Sequence, residues 1–286
     1  MKIEKIVPQG FCMGVRRALA IAKKTRKEYP DNKIYVLGML VHNRFVVKEC
    51  EDLGILPLDT AHHTREECID SLPEGSILLF TAHGTPEYLF ERAENRGLIT
   101  IDATCLDVKK TEKVIRQYLA EGREILYIGK KGHPEAEAMI SIDPSKIHLI
   151  TKPEDADGIP ASLPCAITCQ TTVSFRDVEK IAEDLSGKFT DMIIHPEICS
   201  ATRKRQEAVL NAPKYDAIFV IGDPLSNNTF QLSRLASLKT ERVYRVESAK
   251  DIKEEMLQNI ECAGITAGAS TPDYLIDEVI EKIRRF

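Results

Sequence analysis

The chain has 286 residues, of which 43% are hydrophobic and 29% are charged, and its formal net charge is −5. These fractions fit a soluble globular protein and exclude a disordered or collagen-like chain. No apolar run approaches the ~18 residues that a membrane helix needs, and the N-terminus reads as a strand instead of a signal peptide. We therefore expect a cytoplasmic protein with no membrane or nucleic-acid partner.

Three cysteines divide the chain into repeats of nearly equal length. Cys12, Cys105 and Cys199 lie 93 and 94 residues apart, close to one third of the chain. Each cysteine precedes a stretch with helical apolar spacing, and the pattern after Cys199 is the weakest of the three. Each predicted helix is followed by a short apolar run that ends in glycine, which is typical of a buried parallel strand. These runs are 34–38, 125–129 and 217–222.

Polar residues follow two predicted strands in every repeat. In chain order they are His42, His83, His133, Glu135, Thr171, Thr172, Ser226, Asn227, Asn228 and Ser270. Loops at the carboxyl ends of parallel strands carry ligand groups. The repeats thus predict an α/β fold of three modules, at 1–99, 100–195 and 196–286, whose pseudo-threefold axis brings the three cysteines together. Coincidence of spacing in an ordinary α/β protein is the alternative.

The three repeated cysteines are candidate metal ligands, because a helix N-terminus favours a thiolate. A structural zinc site normally has four protein ligands with a closely spaced pair, and this chain has no C-x-x-C pair. The spacing therefore favours a four-iron cluster over zinc, with one iron lacking a protein ligand. Such an iron can bind a substrate oxygen and pass electrons to it. We interpret the other five cysteines as structural.

The polar loops indicate the chemistry of the substrate. Histidines, hydroxyls and amides form a donor-rich set that suits an anion such as a diphosphate. No glycine-rich nucleotide motif follows a strand. Glu135, beside these donors, is either a proton-relaying carboxyl or a first-turn glutamate stabilised by its helix.

Several short motifs occur in order over essentially the whole chain. They are Gly10-Phe11-Cys12-Met13-Gly14-Val15, Val41-His42-Asn43-Arg44, Ala82-His83-Gly84, Asp102-Ala103-Thr104-Cys105, Gly132-His133-Pro134-Glu135, Gln170-Thr171-Thr172, Ile198-Cys199, Arg205-Gln206-Glu207-Ala208 and Thr266-Ala267-Gly268-Ala269-Ser270. Together they resemble the 4-hydroxy-3-methylbut-2-enyl diphosphate reductase family. One departure is Asn227, which stands where this family usually has serine.

The resemblance implies a trefoil of three α/β domains around a [4Fe-4S] cluster that Cys12, Cys105 and Cys199 ligate. It also implies a proton relay through Glu135 and Thr171, with His133 beside them. The residues it matches to the diphosphate site are His42, His83, His133, Ser226, Asn228 and Ser270, and we add Thr171, Thr172 and Asn227 as candidates.

The activity that the resemblance implies is a two-electron reductive removal of the substrate hydroxyl, which binds the open iron. Its products are isopentenyl and dimethylallyl diphosphate, and its electrons come singly from a ferredoxin or flavodoxin. Two alternatives stay open: a non-catalytic iron–sulfur redox sensor, and a zinc-bound diphosphate-binding protein.

Overall fold

The computed structural model describes residues 1–286 and contains twelve strands. They are β1 (Lys2–Lys5), β2 (Ile34–Val36), β3 (Ile55–Pro57), β4 (Ile77–Phe80), β5 (Ile99–Asp102), β6 (Glu124–Ile128), β7 (Ile147–Ile150), β8 (Cys165–Cys169), β9 (Met192–Ile194), β10 (Ala217–Ile221), β11 (Val243–Val246) and β12 (Cys262–Ala267).

Ten α-helices connect these strands, and none of them is long and apolar enough to cross a membrane. They are α1 (Met13–Glu28), α2 (Arg44–Asp52), α3 (Arg65–Asp70), α4 (Glu87–Asn95), α5 (Leu106–Ala120), α6 (Pro134–Ile140), α7 (Phe175–Leu185), α8 (Ser200–Asn211), α9 (Asn227–Ala236) and α10 (Asp273–Arg284).

The chain divides into two compact units. The first consists of Met1–Arg16, His42–Lys48 and Ser200–Phe286, and the second consists of Arg17–Val41 and Glu49–Cys199. The first unit contains one sheet, in the order β1-β12-β10-β11. The second contains two sheets, in the orders β3-β2-β4-β5 and β7-β6-β8-β9. All strand pairs are parallel.

The three sheets share one strand order, which confirms the predicted α/β fold built on a threefold repeat. In each sheet the two predicted strands lie in the middle, and a strand that leads into a cysteine lies at one edge. That edge strand is β5 before Cys105, β9 before Cys199 and β1 before Cys12. The proposed module boundaries at 99 and 195 fall inside β5 and just after β9. These boundaries stay a proposal.

The central strands are buried on both faces, as parallel sheets between helices require. Every residue of β4, β8 and β10 is buried. Apolar clusters cover both faces of the sheet formed by β6, β7, β8 and β9. The polar loop that follows each central strand therefore lies at the carboxyl edge of its sheet.

Candidate active site

The three repeated cysteines all stand at the beginning of a helix, as predicted. Cys12 directly precedes α1, Cys105 is the N-cap of α5, and Cys199 directly precedes α8. The backbone N–H of Val15 donates to the Cys12 sulfur at 3.4 Å. All three thiols are partly exposed and none forms a disulfide. The three sulfurs are therefore accessible to a metal ion or cluster.

The other cysteines have a different environment. Cys50, Cys68, Cys165 and Cys169 are buried. Burial raises the pKa of Cys50 and of Cys165 to about 11 in each case. Such thiols stay protonated at neutral pH and are poor ligands. Cys262 is partly exposed but lies in β12, away from any helix N-terminus.

The repeated cysteines have the side-chain chemistry that iron–sulfur ligation requires. Each offers a partly exposed thiol at the start of a helix. Cysteine sulfurs are the usual ligands of iron–sulfur clusters.

Glu135 and Thr171 form a buried hydrogen-bonded pair within the second unit. Glu135 lies in the first turn of α6 and is 1% exposed, and Thr171 follows the end of β8. The Thr171 N–H donates to Glu135 Oε1 at 2.6 Å, and the Thr171 hydroxyl lies 2.8 Å from Oε2. Tyr127, whose side chain is also buried, donates its hydroxyl to Oε1 at 3.5 Å. The carboxyl is therefore held by a donor on β6 and by two donors in the loop after the neighbouring strand β8.

The environment of Glu135 suits a proton donor. Burial raises the pKa of its carboxyl to about 7, against the opposing effect of the hydrogen bonds from Thr171 and Tyr127. A carboxylic acid that keeps its proton near neutral pH can deliver it to a departing oxygen. Its burial and its raised pKa distinguish Glu135 from an exposed first-turn glutamate.

His83 and His133 lie together in the same unit. Their ring centroids are 5.7 Å apart, and the rings are nearly perpendicular. His133 is the N-cap of α6, and its Nδ1 accepts a hydrogen bond from the Glu135 N–H at 3.2 Å. Because Nδ1 is the acceptor, the neutral ring carries its proton on Nε2. In the loop after β8, the hydroxyl oxygen of Thr172 accepts a hydrogen bond from Gln170 Nε2 at 2.9 Å.

The first unit brings together the remaining predicted substrate residues. Ser226 is the N-cap of α9, and Asn227 and Asn228 form its first turn; all three are buried. The Asn228 Oδ1 accepts from the N–H of Ala269 at 3.0 Å. The hydroxyl of Ser270 donates to the carbonyl of His42 at 2.8 Å. The N-terminus of α9 therefore adjoins the loops that carry His42 and Ser270, and it favours an anion.

Two glycines allow α9 to approach the sheet closely. A Cβ atom at Gly222 would lie 2.4 Å from Thr229 Oγ1, and one at Gly268 would lie 2.2 Å from the same atom. Gly222 follows β10, and Gly268 follows β12. A side chain at either position would push the first turn of α9 away from the strand ends, so these glycines position Asn227 and Asn228.

Asp223 is a site residue that the sequence analysis missed. Its carboxylate is 4% exposed and accepts from the N–H of Arg44 at 2.9 Å and from the N–H of Leu225 at 2.8 Å. Arg44 also pairs with Glu247 at 2.7 Å. Asp223 thus joins the loop before α9 to the start of α2, two residues after His42. An aspartate that follows a strand and glycine is a recognisable turn signal, but its contact with residue 44 is not local.

The raised pKa of Glu135 makes the free energy of unfolding depend on pH. The ordinary pKa is 4.5 and the folded value is about 7. Well below pH 4.5 the carboxyl is neutral in both the folded and the unfolded state, so it does not make the free energy of unfolding depend on pH. As pH rises from 4.5 through 7 the unfolded state ionises first, and stability falls by up to about 1.4 kcal/mol per pH unit.

Glu135→Gln imitates the neutral carboxyl and removes this loss. We expect the variant and the wild type to melt nearly together at about pH 4, and the variant to melt at the higher temperature at about pH 8. Circular dichroism melts of anaerobically purified protein measure this. Glu137→Gln, at a side chain on the same helix that is 47% exposed, is the control and should show no such change. Parallel curves for Glu135→Gln and wild type at every pH would contradict the assignment.

Comparisons with known proteins agree over the length of the chain. A family model described as "LytB protein" matches residues 3–284. Two curated relatives are both named 4-hydroxy-3-methylbut-2-enyl diphosphate reductase. The one from Macrococcus caseolyticus is 41% identical over 293 residues, covering 100% of this chain and 90% of the relative. The one from Malacoplasma penetrans is 40% identical over 288 residues, covering 98% and 96%.

Two solved structures are similar to this chain. The E-1-hydroxy-2-methyl-but-2-enyl-4-diphosphate reductase of Plasmodium falciparum matches with a TM-score of 0.91 and 29% identity, over 98% of this chain and 87% of that one. A second reductase, described as the terminal enzyme of the non-mevalonate pathway, matches with a TM-score of 0.71 and 29% identity, over 100% and 99%. The chain therefore belongs to the LytB family, a family of oxidoreductases.

Proposed function

We propose that this chain converts 4-hydroxy-3-methylbut-2-enyl diphosphate into isopentenyl and dimethylallyl diphosphate. The observation that carries the proposal is the buried Glu135–Thr171 pair, whose carboxyl has a pKa of about 7. It lies beside His133 and His83, which are donors suited to a diphosphate. The names of the curated relatives support the same substrate.

The reaction needs two electrons and two protons, breaks one C–O bond and releases the hydroxyl oxygen as water. Glu135 supplies a proton to that departing oxygen, and Thr171 holds the carboxyl in place through its N–H and its hydroxyl. The remaining allylic fragment accepts the second proton at either of two carbons, which accounts for two products. Thr171 also accepts, at its carbonyl, the N–H of Cys199 at 3.2 Å, so it joins the proton donor to a cysteine segment.

Members of the LytB family are iron–sulfur enzymes, and we propose that Cys12, Cys105 and Cys199 ligate a [4Fe-4S] cluster at the centre of a trefoil. When bound, this cluster would supply a Lewis-acidic iron and would pass on, one at a time, the two electrons that an external donor provides. A one-electron donor of the ferredoxin or flavodoxin type and a cytoplasmic location stay predictions.

The diphosphate is the anchor that orients the reacting end of the substrate. We propose that it binds His42, His83, His133, Thr172, Ser226, Asn227, Asn228 and Ser270. Asn227 lies in the first turn of α9, next to the Ser226 N-cap, so its amide belongs to the anion-attracting end of that helix.

Asp223→Ala should weaken the binding of inorganic diphosphate by ~10-fold, because the loops that carry His42 and the start of α9 lose their shared acceptor. Asp223→Asn keeps one of the two acceptor oxygens, so it can accept from the N–H of Arg44 or of Leu225 but not from both, and we expect its loss of affinity to be smaller than that of the alanine variant. Isothermal titration calorimetry under anaerobic conditions measures both. An alanine variant with wild-type affinity would show that Asp223 has no positioning role.

Genetic complementation tests the proposed function. The gene should restore growth, without added mevalonate, to a bacterium depleted of its own reductase. The Glu135→Gln variant, produced at the same level, should fail to do so. Equal rescue by the variant would contradict the proton role. No rescue by an iron-loaded wild-type protein would favour the redox-sensor alternative, and a protein loaded with zinc would favour the diphosphate-binding one.

A further inference from the structure

Four side chains of the second unit form a continuous polar network outside the site described above. The Tyr118 hydroxyl lies 2.8 Å from His195 Nδ1, and His195 Nε2 lies 2.8 Å from Glu197 Oε1. The other carboxylate oxygen of Glu197 lies 2.7 Å from Lys110 Nζ. We call Tyr118, His195, Glu197 and Lys110 the α5 network, because two of its members belong to α5.

The α5 network joins two segments that each carry a repeated cysteine. Tyr118 and Lys110 lie on α5, whose N-cap is Cys105. His195 and Glu197 lie in the segment 195–199, which ends at Cys199 and has no helix or strand structure of its own. A segment without internal hydrogen bonding relies on outside contacts for its position.

The network is well placed to supply such contacts. The Glu197 side chain is only 11% exposed, and Tyr118 is buried. The rings of Tyr118 and His195 also touch edge to face, with centroids 5.8 Å apart. Partly buried, charge-assisted hydrogen bonds hold geometry more firmly than exposed ion pairs do.

We propose that the α5 network fixes the position of Cys199 relative to Cys105 and thereby retains the iron–sulfur cluster. The inference rests on the proposed ligand set. Tyr118, His195, Glu197 and Lys110 are positioning residues in this scheme and do not touch the substrate. Replacing a group that orients a metal ligand, without itself binding the metal, typically lowers metal affinity by about 10- to 100-fold.

Two conservative variants test the proposal on the cluster-loaded protein. Tyr118→Phe removes one hydroxyl and keeps the buried ring, and Glu197→Gln removes a charge and keeps the shape. Both should release iron to a chelator ~10-fold faster than the wild type, followed anaerobically by the cluster absorbance. Both side chains contact His195, so their effects are coupled. In the double variant, the fall in the activation free energy of iron release should therefore not exceed the sum of the falls in the two single variants.

The chain offers a matched control in the same unit. His148 Nε2 lies 2.7 Å from Glu124 Oε2, on β7 and β6, so this pair has the same chemistry without adjoining a cysteine segment. His148→Ala should release iron at the wild-type rate. Thermal melts of all three variants without iron should agree with the wild type, since the network acts on the cluster segment and not on the fold.

The outcomes separate the inference from the proposed function. Wild-type iron release by both Tyr118→Phe and Glu197→Gln, or equally fast release by His148→Ala, would overturn the role of the α5 network while leaving the reductase assignment intact. A wild-type protein that holds no iron and sulfide after anaerobic reconstitution would overturn both.

Discussion

Glu135→Gln should lower the rate of substrate turnover by about 100-fold or more, while the bound iron and sulfide stay at wild-type amounts. The amide keeps the size of the carboxyl and can still hydrogen-bond the N–H and the hydroxyl of Thr171. It has no acidic proton to give to the departing oxygen. The measurement is anaerobic turnover per bound cluster, with the diphosphate substrate and a reduced viologen dye.

Two comparisons make this result specific to the proton role. Glu137→Gln changes a half-exposed glutamate of the same helix and should turn over normally. Thr171→Val removes only the hydroxyl that lies against Oε2, so it should lower turnover less than Glu135→Gln does. A Glu135→Gln protein with wild-type turnover would show that another group protonates the oxygen.

A serine in place of Cys12, Cys105 or Cys199 should remove or destabilise the cluster. A hydroxyl is a far weaker ligand for iron than a thiolate. We expect the iron and acid-labile sulfide contents to fall well below those of the wild type after identical anaerobic reconstitution. The cluster absorbance should fall with them. Turnover should become undetectable as a consequence.

Cys262→Ser is the matched control for these variants. Cys262 is also partly exposed, but it lies in a strand and not at a helix start. This variant should keep its iron and sulfide. Melts of the unloaded proteins establish that each variant folds. If Cys262 or Cys50 proved necessary for iron retention, or if one of the three repeated cysteines proved dispensable, the ligand assignment would be wrong.

The repeated part of the fold could be predicted because its signals are local. An apolar run, a glycine and a polar loop recur at matching distances from Cys12, Cys105 and Cys199. The structure confirms the strands that these runs indicate as β2, β6 and β10, and it confirms the helix after Cys199 as α8. Its weak apolar pattern reflects a helix that buries polar side chains, among them Arg205 and Gln206.

The pairing of the strand before each cysteine was not predictable from local pattern. Strand β5 is only four residues long, and Ile99 at its beginning is exposed. Strand β1 pairs with β12, which is more than 250 residues later in the chain. Short edge strands carry little periodicity, and their partners are chosen by long-range packing. Strand β1, at the start of the first predicted module, therefore belongs to the sheet of the third module, and β5 spans the boundary predicted at residue 99.

The candidate site was predictable only in its outline. Residues such as Glu135 and Thr171 follow strand ends, which sequence patterns mark, but their direct contact spans 36 positions. The supporting contacts of Asp223 and Tyr127, and the contacts of His195 outside the site, had no such signal. Asp223 and His195 act through partners distant in sequence, and Tyr127 reads as an ordinary core residue of a buried strand.

Anaerobic turnover of the purified, iron-loaded protein tests the central claim most directly. Reduced viologen is mixed with the protein and 4-hydroxy-3-methylbut-2-enyl diphosphate, and the products are identified after dye oxidation. We predict substrate-dependent oxidation of two viologen equivalents per molecule converted, with isopentenyl and dimethylallyl diphosphate as products. A protein with full iron and sulfide that oxidises no dye with this substrate would contradict the assignment.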